Sequence, residues 1–94
     1  MKISDPRIIY KYSIESKPFV LQLPEDAEIL KVGIQNDEPK MWVLQDKWKP
    51  LVIRMFCLIA TGQRFDYNDV KKYIDTIFLK NSSLVFHLFE LNNL

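Results

Sequence analysis

Among the side chains of this 94-residue sequence that could act on a substrate, His87, Glu90 and Arg54 stand out because they lie in or beside apolar runs; a carboxylate pair at no recognisable spacing is the other possibility. An imidazole working as a general base needs a nucleophile and an orienting partner, and one working as a metal ligand needs further ligands. With one His and one Cys in the chain, a His pair or triad, an intrachain disulfide and a Cys-rich zinc site are all excluded. On an extended segment, positions 87 and 90 fall on opposite faces, which works against a shared active centre. The expectation is therefore a protein that is not an enzyme, with no catalytic residue, metal or cofactor.

Each of these groups has a plain structural reading beside the functional one. His87 lies inside the apolar run Phe86 to Phe89 and shares its strand parity with Val85, Phe89 and Leu91. Its plain reading is a packed ring hydrogen-bonded to neighbouring backbone, and the alternative is a ligand contact. Glu90 reads as a strand-end charge turned to water, or as a group orienting a donor at an interface. Arg54 stands in the middle of LVIRMFCLIA, where a guanidinium is too costly to bury alone. It must pair with a carboxylate such as Glu90, or face a ligand or partner. Cys57, in the same run, reads as a small, inert core residue. Thr61-Gly62 lacks the Gly-rich frame of a phosphate loop and reads as a turn.

Two clusters mix cations with aromatic rings. Trp48 is flanked by Lys47, Lys49 and Pro50, an arrangement suited to a protein surface or a nucleobase, or to loop packing. Arg64, Tyr67, Lys71 and Lys72 form the second, whose plain reading is a solvated helix face. Trp42 is expected in the core. The candidate binding set is thus Trp48, Lys47, Arg54, Arg64, Tyr67, His87 and Glu90.

The chain has 13 Lys+Arg against 12 Asp+Glu, a formal charge of +1. Residues 1–50 hold eight basic and eight acidic side chains, and residues 51–94 hold five and four, so neither half is strongly basic. Binding to extended nucleic acid through many phosphates is not expected. The N-terminal MKISDPRIIYKYS has no signal-peptide pattern, and the longest apolar run falls far short of the ~20 residues that span a bilayer. A cytoplasmic protein with no membrane contact is expected.

The elements that must position these groups follow from a period of two. Ile8, Tyr10, Tyr12 and Ile14 share one face of a first strand, and Phe19, Leu21 and Leu23 one face of a second, together a predicted hairpin. LPEDAE is a loop, Leu30, Val32 and Ile34 mark a third strand, and NDEP at 36–39 is the turn of a second hairpin into MWVLQ. LVIRMFCLIA at 51–60 is apolar on both faces and is expected to be a central strand covered on both sides. Val70, Tyr73 and Ile74 at i, i+3 and i+4, behind Asp66 or Asn68 as caps, predict one short helix near 66–74. A strand from Asp75 to Leu79, a KNSS turn and the strand LVFHLFEL end the chain. The expected fold is mainly β: a single domain over 1–94, a compact antiparallel sandwich or partly open barrel of about seven short strands.

Several of these segments together resemble a family of small proteins of unknown function, common in bacteriophages and prophages. The matching residues are Tyr12, Leu23-Pro24, Ala27-Glu28-Ile29-Leu30, Gln35-Asn36, Trp42, Thr61-Gly62, Tyr73-Ile74 and the closing Val85-Phe86-His87-Leu88-Phe89-Glu90. The apolar-His-apolar-Phe-Glu ending is the most distinctive. The resemblance supplies no catalytic residues; what it implies is a phage setting. By analogy with that setting, the expected function is a non-enzymatic accessory protein that binds and blocks a host antiviral defence component, for example a CRISPR effector, in the host cytoplasm. The alternative is an oligomeric sponge for a nucleotide immune signal, in which an interface between copies builds the pocket that one short chain has little apolar material to build.

Overall fold

The computed structural model describes residues 5–79 and 83–92, which form seven strands and one 3₁₀ turn. The strands are β1 (Arg7–Ser13), β2 (Phe19–Pro24), β3 (Glu28–Gln35), β4 (Glu38–Asp46), β5 (Leu51–Ala60), β6 (Val70–Leu79) and β7 (Leu84–Leu91). They pair antiparallel in two sheets, a three-stranded one of order β1-β4-β3 and a four-stranded one of order β2-β5-β7-β6. The sheets do not close into a barrel, so of the two expected architectures the chain adopts the sandwich.

The second hairpin is where its turn chemistry places it. Gln35 pairs with Glu38 across Asn36 and Asp37, both at positive φ (53° and 65°), the two-residue turn whose twist matches that of the flanking strands. The first expected hairpin does not form. β1 pairs with β4 instead, and residues 14–18 carry the chain from one sheet to the other. The shared apolar parity that suggested a hairpin also suits two strands facing each other across a core. Ile14, buried and donating its N–H to the Pro39 carbonyl at 3.1 Å, anchors the crossing.

The helix expected near 66–74 is a single 3₁₀ turn, Tyr67–Asp69, and β6 starts directly after it, five residues earlier than the expected strand. Asp66 does cap, its side chain accepting from the Asn68 N–H at 3.0 Å. The helix-like spacing of Val70, Tyr73 and Ile74 comes from two irregularities in the β6–β7 register, between Val70 and Lys72 and between Tyr73 and Asp75. Each inserts a residue and breaks the period of two. Lys71 and Lys72 accordingly lie on a strand, not on a helix face. The expected KNSS turn lies mostly outside the described residues.

Between the sheets, Phe56, Leu23, Met41, Leu88 and Val43 are fully buried, joined by Ile14, Phe19, Val32, Leu58 and Ile77. On β4 the core face is therefore Met41, Val43 and Gln45, with Trp42 half-buried on the other face, the reverse of the expected placement. Gln45 is buried and accepts a hydrogen bond from the Tyr12 hydroxyl at 2.9 Å, which satisfies it.

β5 and β6 both run antiparallel to β7, so they are parallel to each other and residues 61–69 must return along the sheet. That return crosses the outer face of β7. It sets the Phe65 ring 5.2 Å and the Tyr67 ring 6.4 Å from Phe89, over a second, smaller buried cluster of Cys57, Ile59 and Phe89. Among the described residues, only this half of the outer face is covered. Leu51, Val52 and Ile53, at the start of β5, are exposed, so the strand expected to be covered on both sides is so only in its second half.

Candidate functional site

Arg54 and Glu90 meet on the inner side of the four-stranded sheet. Cross-strand pairing sets Phe56 opposite Glu90, and Arg54, one step back along the same face of β5, reaches over to it. Its Nε and Nη2 donate to Oε2 and Oε1 of Glu90, each at 2.8 Å, and Nη1 donates to the Ala27 carbonyl at 2.8 Å. The guanidinium also lies 5.6 Å from the Phe56 ring centre. This is the planar, two-pronged match of guanidinium to carboxylate, and it ties β5, β7 and the turn before β3 together. Burial pushes the Glu90 carboxyl up, but the Arg54 hydrogen bonds and charge, with Lys71 and Lys72, outweigh it and hold the carboxyl below its ordinary value. Glu90 is 3% exposed, so the strand-end charge expected to face water is in fact one of the two buried polar residues among those described. A cleft of about 480 Å³ opens beside the pair, lined in part by Asp26, Ile29 and Lys72. Arg54 presents itself to Glu90 and Ala27, not to that cleft as a free cation.

His87 lies on the other face of the same sheet and does not meet Glu90. Thr61 Oγ1 is 2.8 Å from its Nε2 and Thr76 Oγ1 is 3.0 Å from its Nδ1. The Tyr73 hydroxyl extends the chain, 2.6 Å from Thr76 Oγ1. The ring is thus held by two hydroxyls instead of the backbone group expected. A hydroxyl against an imidazole is the contact of an activated nucleophile, but the orienting partner here is a neutral hydroxyl and not a carboxylate that would stabilise an imidazolium. Thr61 and Thr76 were invisible as partners in the sequence, because Thr76 is brought opposite His87 only by the β6–β7 register. Cys57 is buried, and burial pushes its thiol up, away from the reactive thiolate. Among the described residues no group of three or more His, Cys, Asp or Glu is placed to hold a metal ion.

The remaining candidates are on the surface. Trp48 is 76% exposed in the β4–β5 loop, with Lys47 Nζ 5.4 Å from its ring centre. The loop is pinned from below: Asp46 Oδ1 accepts from the Trp48 N–H at 3.0 Å, and Lys49 reaches Asp26 at 3.0 Å. Tyr67, 67% exposed, stands on the crossing segment beside exposed Arg64. Between these two segments the outer face of the four-stranded sheet exposes apolar side chains among the described residues. Leu51 (61% exposed) and Ile53 (53%) follow one another along the outer face of β5, opposite Pro24 and Gln22 of β2, with Val20 (54%) one step further along β2, opposite Met55. These residues were missed because an apolar residue in an apolar run reads as core. No signal in the sequence separates them from the buried residues of the same run.

A protein-family model described as "Domain of unknown function (DUF7352)" matches residues 6–94. No curated protein and no solved structure matches the chain. Among the described residues, no helix is long and apolar enough to cross a membrane.

Proposed function

The chain belongs to that family of domains of unknown function, and from its own geometry we propose that it is a non-enzymatic binding protein whose partner docks on the bare outer face of the four-stranded sheet. The observation that carries this reading is the half-covered face itself. Leu51 and Ile53 on β5 and Val20 on β2 present exposed apolar side chains on one face of the sheet, with Gln22 among them, between the segments that carry Trp48 with Lys47 and Tyr67 with Arg64. Contiguous exposed apolar surface rimmed by aromatic and cationic side chains is the composition of a protein-recognition surface. The inward use of Arg54 and Glu90 and the threonine clamp on His87 support a structural role for the three groups that could have done chemistry.

The partner class rests on the resemblance to phage and prophage proteins carried by the closing Val85 to Glu90 segment. In that setting the chain acts in the host cytoplasm as an accessory factor that covers a working surface of an antiviral defence protein, such as a CRISPR effector. The test compares the wild-type chain with L51K/I53K, immobilised in equal amounts in host lysate, and then assays the retained protein with added chain. The expected result is a defence protein held by the wild type, at least about ten-fold less by the variant, and blocked in its activity. Equal capture by both chains, or capture without inhibition, overturns the reading. A signal nucleotide bound in native mass spectrometry, with no protein partner, replaces it with sequestration of that nucleotide.

A further inference from the structure

Two sheets give four edge strands, and three of them carry the usual protection against pairing with another chain. β1 carries Arg7 and Lys11, β3 carries Glu28 and Lys31 with a register irregularity between Ile29 and Lys31, and β6 carries Lys71, Lys72 and Asp75 with two irregularities. β2, Phe19-Val20-Leu21-Gln22-Leu23-Pro24, has no charged residue and pairs in unbroken register with β5 alone. An open groove of about 380 Å³ lined by Glu15, Pro18, Phe19, Val20 and Met55 lies alongside its first residues.

The sequence around this edge is self-complementary about Leu21. Reading outward, Val20 faces Gln22, Phe19 faces Leu23, Pro18 faces Pro24 and Lys17 faces Glu25. In an antiparallel pair of β2 strands related by a two-fold axis through Leu21, Leu21 meets its own copy and Val20 meets Gln22 across the ladder, while Phe19 and Leu23 stay in the core of each copy. The prolines, which cannot donate to it, close it at both ends, and Lys17 of each copy lies opposite Glu25 of the other. Both residues are exposed just beyond the strand ends. The neighbouring registers that keep the two outer faces on one side are worse. An axis through Val20 sets Glu15 against Glu25, and an axis through Gln22 puts Pro24 inside the ladder opposite Val20.

We propose that the occupant of the β2 edge is a second copy of this chain, joined through β2 in the register centred on Leu21 with reciprocal Lys17–Glu25 contacts. The two four-stranded sheets then run on as one eight-stranded sheet, and the bare apolar halves of their outer faces become neighbours. A six-residue strand pair is a small interface, so the dimer forms at micromolar and higher concentrations and not as an obligate unit.

The test is the mass in solution by light scattering and sedimentation across a concentration series. Wild type, K17E, E25K and K17E/E25K are compared, all surface substitutions whose folding is checked by circular dichroism. The wild type is expected to approach twice the 11.2 kDa chain mass. Each single variant places like charges at both ends of the ladder and is expected to dissociate about ten-fold more readily, with the double exchange restoring wild-type association. A wild type that stays monomeric to several hundred micromolar overturns the proposal. So does a dimer indifferent to the single changes, or one that the double exchange does not restore. Partner capture by L51K/I53K is read separately, so loss of the dimer does not bear on the docking face.

Discussion

The two sides of β5 treat exposed chemistry in opposite ways. On the inner side, Arg54 is a charge in an apolar strand, and three hydrogen bonds to Glu90 and Ala27 absorb it. On the outer side, Leu51 and Ile53 are apolar side chains 61% and 53% exposed, whereas Phe65 and Tyr67 pack against Phe89. The groups with reactive potential are thus turned to structural use, while apolar residues with none are the ones left exposed, on the face proposed above for a partner. The difference teaches that polarity does not predict exposure here: a buried ion pair holds the sheet together, while apolar side chains lie at its surface.

The comparison breaks most visibly at the pair. Arg54→Met leaves the Glu90 carboxylate buried without its partner and is expected to cost about 3 kcal/mol in urea unfolding, while Arg54→Met with Glu90→Leu recovers most of the loss. Glu90→Gln gives a smaller loss that depends on pH. The fold holds the Glu90 carboxyl below its ordinary value near 4.5, so the ionised form is favoured in the folded state. The advantage of wild type over Glu90→Gln is therefore full above about pH 4.5 and shrinks as the pH falls through the lowered value, which denaturation at a series of pH values measures.

On the outer side the effects on stability are smaller. Thr76→Val removes one hydroxyl from the His87 clamp and is expected to cost about 1 kcal/mol without changing partner capture. L51K/I53K is expected to stay within about 0.5 kcal/mol of wild type in the same unfolding assay, although it loses the partner. Smallest of all is Asp5→Asn. Hydrogen bonds from Arg7 lower the Asp5 carboxyl to about 2, yet both side chains are about half in water, and no measurable change in melting temperature is expected.

Much of this was legible from the residues. Period-two patterning located β1 to β4, runs apolar on both faces located β5 and β7, and Asn36-Asp37 lies in the segment that marked the second turn, because turn geometry is a local property of those side chains. The pairing of Arg54 with Glu90 was one of the two outcomes that the cost of an unpaired buried charge allowed, the other being a ligand or partner. What was not legible depends on which strand lies beside which. The β1–β4 pairing, the His87 contacts with Thr61 and Thr76, and the irregularities that gave β6 a helical spacing are set by register between distant segments. The bare face escaped for the same reason. Leu51 and Ile59 look alike in sequence, and only the path of residues 61–69 decides which of them is covered.

The most direct measurement of the central claim is hydrogen exchange on the chain alone and in complex with its captured host partner. New protection across Leu51–Met55 and the neighbouring part of β2, with little change around His87 and Thr76, is the predicted result. Protection confined to the cleft beside Arg54 and Glu90, with the first half of β5 exchanging as in the free chain, would contradict it.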